Sequence, residues 1–194
     1  MPTDRFTSLV QELCACTRCE PELPLGAKPI FQIDPRARVL IAGQAPGRIT
    51  HAKGIPFDDP SGVRLRAWMG VTREEFYDPK LFAILPMGLC FPGSGPGGDL
   101  PPRPECAAHW RQRVLSALPA VRLTLVIGQY AQAWHLNRNG PVSDVVAAWR
   151  EFAADAVLPL PHPSPRNQGW VKVRPWFEAE LLPALRGRIA AALV

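Results

Sequence analysis

Four short apolar runs, separated by stretches of helical character, constrain this chain more than any other feature. Val39-Leu40-Ile41-Ala42 stops at Gly43, Leu81 to Leu85 at Pro86, Leu123 to Ile127 at Gly128, and Val157 to Leu160 at Pro161. Each is too short for a globular helix, and the first three lack the alternation of a half-exposed strand, so they read as strands buried on both faces; the fourth carries Pro159 and is the weakest. Helical patterns fall at 61–69, 104–118, 129–136 and 143–153. A first helix is expected over 4–14, capped by Thr3 or Asp4, and a last one over about 174–193, bent at Pro183. The segment from Gly43 to about Gly54 reads as a loop. Strands alternating with helices predict an α/β fold, a three-layer α/β/α sandwich around a central four-stranded parallel sheet. A length of 194 residues suits one domain spanning the whole chain. Ligand groups in such folds gather at the carboxyl ends of the strands. The polar and Gly/Pro-rich segments after Ala42, Leu85 and Leu160 all lie there.

The 23 prolines concentrate in Pro21 to Pro35, Pro92 to Pro104 and Pro159 to Pro165, which makes those segments rigid shaped loops rather than flexible linkers. A net charge of +5 is compatible with phosphate binding without demanding it. No run of about 20 apolar residues exists, which excludes a spanning helix and leads us to expect a cytoplasmic protein with no membrane partner. In that reducing compartment the five cysteines read as metal ligands, catalytic thiols or buried apolar groups rather than disulfides.

Four segments carry the chemistry. Gly43-Gln44-Ala45-Pro46-Gly47 forms a tight turn directly after the first strand, where backbone N–H groups approach a ligand closely; alternatively it is only a sharp turn. Gly54-Ile55-Pro56-Phe57-Asp58-Asp59-Pro60-Ser61-Gly62 places a phenylalanine and two carboxylates before a helix. Phe57 suits stacking on a flat ring and Asp59 the orientation of water, or else Phe57 is core and Asp58 or Asp59 a helix cap. His162-Pro163-Ser164-Pro165-Arg166-Asn167 holds a histidine between prolines, suited to donate a hydrogen bond to developing negative charge, or else a structural histidine. Ser164, the N–H groups after it and Arg166 suit a phosphate. Finally, Cys16 and Cys19 have CxxC spacing, while Cys90 and Cys106 are separated by fifteen residues. Four thiolates in a two-plus-two pattern suit zinc or a [4Fe–4S] cluster, and spacing does not choose between them.

Taken in order, these segments resemble the uracil-DNA glycosylase superfamily, specifically its bacterial and archaeal iron–sulfur branch, over about residues 10–170. The resemblance implies that Gly43, Gln44 and Ala45 shape a base pocket and that Phe57 stacks on a base flipped out of DNA. It implies that His162 hydrogen-bonds the uracil O2 as charge grows, and that Cys16, Cys19, Cys90 and Cys106 hold a structural [4Fe–4S] cluster. Asp59 is similar to the acidic residue of a broad-specificity branch, and the His-Pro-Ser-Pro-Arg-Asn motif resembles that of the single-strand-selective enzymes. Arg166 and Asn167 would then hold the strand or fill the space the base leaves. Two positions depart from the branch: Gln44 stands where it usually has Glu, and Pro86 where it tends to have an Asn that reads the uracil edge. The implied activity is hydrolysis of the N-glycosidic bond of uracil, or of another deaminated base, in DNA by a monomer. Two rivals give less account of the motifs. A non-catalytic metal-stapled DNA-binding module leaves His162 and Phe57 without a role, and a small-nucleotide hydrolase lacks a Gly-x-Ser-x-Gly elbow.

Overall fold

The computed structural model describes residues 2–194. Four strands, β1 (Val39–Ala42), β2 (Phe82–Ile84), β5 (Leu123–Ile127) and β6 (Val157–Leu160), form an all-parallel sheet in the order β2-β1-β5-β6. Two further strands, β3 (Ser94–Gly95) and β4 (Gly98–Asp99), pair as a small antiparallel hairpin within the Pro/Gly-rich segment. The register aligns Ile41 with Ile84 and Leu125, so the first three strands end nearly level. Pro159 is tolerated because β6 is an edge strand with β5 on one side only.

Side-chain alternation along β1 sends successive residues to opposite layers. Leu40, with Ala83 and Leu85, packs on Leu9 and Leu13 of α1 (Pro2–Cys14) and on Trp110 and Val114 of α5 (Pro104–Ser116). Val39 and Ile41, with Phe82, Ile84 and Leu125, pack on Leu65 and Met69 of α3 (Pro60–Met69) and on Leu185 and Ile189 of α9 (Leu182–Leu193). Helices thus cover both faces, and the three-layer α/β/α sandwich expected from the sequence is the fold. Among the described residues no helix is long and apolar enough to cross a membrane.

Local departures have local causes. The first helix begins at Pro2, which puts Asp4 in its first turn rather than at its cap; the side chain of Thr3 lies outside the described residues. The segment after Gly47 is not a loop but a helix, α2 (Arg48–Lys53), closed by Gly54 in the left-handed conformation at φ 74°. A four-residue helix, α4 (Arg73–Phe76), carries a capping box between Thr72 and Glu75. The helix expected over 143–153 divides into α7 (Val142–Ala147) and a 3₁₀ turn, Trp149–Phe152, whose three-residue repeat buries both end aromatics. Near the carboxyl terminus, a π turn at Phe177–Leu181 precedes α9, whose Pro183 lacks the N–H needed to continue a regular ladder. The remaining helices are α6 (Gln129–Leu136) and α8 (Gln168–Lys172).

Candidate active site

The carboxyl ends of β1, β2 and β6 open into one cavity of about 490 Å³. The turn after β1 forms its floor, through Gly43, Gln44 and Ala45, and is stitched to the segment after β2. Met87 N–H donates to the Gly43 carbonyl and Gly88 N–H to that of Gln44, each at 2.9 Å. The Gln44 side chain donates to the Leu100 carbonyl at 3.2 Å and is thereby turned along the rim. The N–H groups of Gln44 and Ala45 donate to no other backbone carbonyl among the described residues. Pro86, lining the cavity beside Ile84, offers no N–H at all.

Phe57 lines the same cavity in an unusual backbone conformation, φ 55°. Three contacts hold it there. Its ring meets Phe76 edge-on at 6.3 Å between centroids. The ring tip lies 3.5 Å from where a Cβ on Gly43 would stand. Its carbonyl lies so close to Gly62 that a Cβ there would fall 1.7 Å away, so only glycine fits. The Asp59 carboxylate fixes Gly62 in turn: Asp59 is the N-cap of α3 and accepts from Gly62 N–H at 2.8 Å. Asp59 therefore has the capping duty that the sequence left open, while also lining the cavity. Asp58 instead pairs with Arg73 at 2.6 Å and Lys53 at 3.2 Å, and those cations hold its carboxyl below the usual range.

His162 leaves β6 between Pro161 and Pro163, both buried, and reaches the cavity wall. Its Nδ1 accepts from Ser164 N–H at 3.2 Å, which leaves the ring proton on Nε2 in the neutral tautomer. Burial pushes its pKa down, and the fields of Asp59 and Asp99 offset that only in part. Asn167 does not line the cavity; its amide donates to the His162 carbonyl at 2.9 Å and braces the turn. Ser164 lines the cavity, but the amides expected to grip a phosphate are spent within the turn. Ser164 N–H serves His162, and the N–H groups of Arg166 and Asn167 serve the Ser164 hydroxyl and carbonyl at 3.3 and 2.9 Å. The exposed Arg166 side chain remains, reaching toward Gly98 of the hairpin.

Asp99, at the end of β4, was not singled out from sequence. It borders the cavity, one carboxylate oxygen accepting from the Ser94 hydroxyl at 2.9 Å and the other facing Gly47, the N-cap of α2. The only available signal was the Gly95-Pro96-Gly97-Gly98 turn, which marks a hairpin but not where its last carboxylate points.

On the layer side of α1 and α5, Cys16, Cys19, Cys90 and Cys106 line one small cavity together, and Cys14 is exposed outside it. Two sulfurs already receive N–H donors: Leu89 N–H points at Cys106 Sγ and Trp110 Nε1 at Cys16 Sγ, both at 3.3 Å. Burial pushes the Cys90 thiol up to about 11 and the Cys106 thiol to about 12. Among the described residues no three ligating side chains stand close enough to cage a single metal ion. The four thiols nonetheless line one small cavity, with Cys106 buried and Cys16, Cys19 and Cys90 partly exposed, and two of their sulfurs are supplied with N–H groups, a donor chemistry that suits a thiolate-held metal centre.

The family model of the uracil DNA glycosylase superfamily matches residues 30–186, which takes in β1, Phe57, the hairpin, His162 and all of α3. The chain belongs to that superfamily. Membership makes it a glycosylase-class enzyme acting on DNA, and the cavity just described, at the carboxyl edge of the superfamily's sheet, is where its chemistry is sought.

Proposed function

We propose that this superfamily member hydrolyses the N-glycosidic bond of uracil, and of other deaminated bases, in DNA as a monomer and leaves an abasic site. The observation that carries the reading is the His162 tautomer. Because Nδ1 accepts from Ser164 N–H, the remaining ring donor of this cavity-lining residue is a neutral Nε2–H. A base within a duplex stack is out of reach, so it must be flipped into the cavity, where Phe57 stacks on it. As the glycosidic bond breaks, its electron pair leaves with the base and C1′ becomes cationic. His162 Nε2–H and the amides of Gln44 and Ala45 stabilise the departing anion; one such preorganised donor is worth roughly 3 kcal/mol. Water oriented by the second oxygen of Asp59 adds to C1′ and loses a proton to solvent, and the base anion gains one. Arg166 holds the strand, and Asn167 keeps the His162 turn in shape.

Cys16, Cys19, Cys90 and Cys106 would hold the [4Fe–4S] cluster that the iron–sulfur branch implies, with zinc the alternative for the same thiols. Such a group would supply a structural cross-link between the amino-terminal segment, the loop after β2 and α5.

The reading is tested with 5′-labelled oligonucleotides carrying uracil, hypoxanthine or xanthine, treated with alkali after incubation. Scission at uracil, alone or with the others, is expected; no scission at any of them would leave the metal-stapled DNA-binding module. The rate constant should stay level as pH falls from 8 through 6.5, the ordinary histidine value, because burial lowers the His162 pKa. A rate that climbs through 6.5 would mean that the imidazolium is the active form.

A further inference from the structure

Arg111, on α5, is only 2% exposed. Its guanidinium donates to the carbonyl of Leu85 at 2.7 Å and to that of Pro86 at 3.3 Å, and it meets His135 Nε2 at 2.6 Å. The face of Trp134 lies 5.6 Å away, and Arg111 Nε has no partner. Among the described residues no carboxylate pairs with it. His135 is held neutral by its own burial and by Arg111, with its pKa lowered to about 3. Among the described residues the acidic group whose field reaches the guanidinium is Cys106, which as a metal-held thiolate would place negative charge near it. Withdrawing a guanidinium from water without a carboxylate partner is costly, and an apolar side chain would fill the space at lower cost. Burial lowers its pKa to about 9, which still leaves it charged at neutral pH.

The carbonyls Arg111 holds show what the charge could serve. Pro86 lines the base cavity, so the guanidinium stands one peptide behind the cavity wall. That wall has little else to offer a base. Pro86 has no N–H, and the Met87 and Gly88 N–H groups are spent on Gly43 and Gln44. A positive charge fixed in a water-poor interior acts over several ångströms with little screening, and acts most on negative charge that develops nearby during reaction.

The geometry points to Arg111 as a buried counter-charge for the departing base, stabilising the leaving anion through the Leu85–Pro86 wall. The inference rests on the reading that the base leaves as an anion. A purely structural Arg111 would affect all substrates alike, whereas a counter-charge matters more for the poorer leaving group.

The test compares single-turnover rate constants on DNA carrying uracil or 5-fluorouracil, whose more acidic ring makes the better leaving group. The ratio of the two is independent of the fraction of active protein. Arg111→Met should slow uracil release about ten-fold and raise the 5-fluorouracil-to-uracil ratio by roughly three-fold or more, while Arg111→Lys, which keeps the charge, holds the wild-type ratio. His135→Glu keeps Arg111 in place but sets a carboxylate against it; it should raise the ratio too, and it carries the test should Arg111→Met not fold. An unchanged ratio in the charge-removing or charge-compensating variants, whatever their absolute rates, would overturn the counter-charge. Wild-type protein that releases neither base would remove the glycosylase reading itself, and the inference with it.

Discussion

The thiol cavity and the base cavity are built from one stretch of chain and in opposite ways. Pro86 lines the base cavity, while Gly88, Leu89 and Cys90 line the thiol cavity two to four residues on. In the thiol cavity the chemistry resides in the side chains, and four cysteines define it wherever the backbone brings them together. In the base cavity it resides in conformation: a phenylalanine at positive φ, a glycine that must lack a Cβ, a histidine whose tautomer is set by a backbone amide. The first kind of site is a matter of composition and spacing. The second exists only once the fold does, and it fails through changes far smaller than loss of a functional group.

Two sites built so differently should fail independently of each other. If the four thiols hold a metal as proposed, Cys106→Ser should have the largest effect on folding, because a metal held by folded ligands contributes its binding energy to stability; a loss of about 3 kcal/mol or more is expected in denaturant melts. Iron and sulfide analysis of purified protein should fall with it. The residual folded fraction should keep the wild-type preference among lesions, and a changed preference would mean that the thiol site shapes the base cavity directly. His162→Ala is the converse. It should lower the single-turnover rate on uracil about 100-fold or more, as loss of a preorganised donor does. Its melting temperature and metal content should stay close to wild type; a large fall in either would make His162 a structural residue.

The same contrast explains how much was legible beforehand. Strands β1 and β2 were plain because burial on both faces leaves an unbroken apolar run, β5 is interrupted only by Thr124, β6 was the weakest because of Pro159, and the layer order followed from their alternation with helices. The cysteine pairs were visible by spacing, although only the fold shows that Cys14, as near in sequence as Cys16, stays outside. Helix α2 was hidden because Arg48–Lys53 has no apolar period and begins at a glycine without a polar cap. Phe57 was visible as an aromatic residue, but not as one held at φ 55°, since that depends on contacts with Phe76, Gly43 and Gly62. Asp99 was missed because glycine and proline around it announce a turn and say nothing of what faces Gly47.

Gly62 tests whether conformation, rather than residue type, makes the base cavity. A methyl group there would stand 1.7 Å from the Phe57 carbonyl oxygen, and neither backbone segment can yield without shifting the start of α3. Gly62→Ala should cost about 2 kcal/mol of stability. It should also weaken DNA lesion binding by displacing Phe57, with no functional group removed. Thiol content and metal loading should be unaffected. If Gly62→Ala behaves as wild type in both stability and binding, the close approach at Phe57 does not define the cavity.

Asp59 yields a smaller effect on stability than Gly62 and the finest distinction. As N-cap of α3 it accepts from Gly62 N–H through Oδ1, while its carboxylate borders the cavity and its field reaches His162. Capping and catalysis can be separated, because asparagine caps a helix as well as aspartate does, whereas alanine does not. Asp59→Ala should lose about 1 kcal/mol in a chemical melt, and Asp59→Asn only a few tenths. If the carboxylate orients water, both variants slow base release to a similar extent despite their different stabilities. If Asp59 only caps, Asp59→Asn retains the wild-type rate, and the water-orienting role passes to Asp99, whose Asp99→Asn variant would then carry the loss. The comparison turns on asparagine: it preserves the conformation and removes only the charge, which is the one change that distinguishes a residue that builds the cavity from one that works in it.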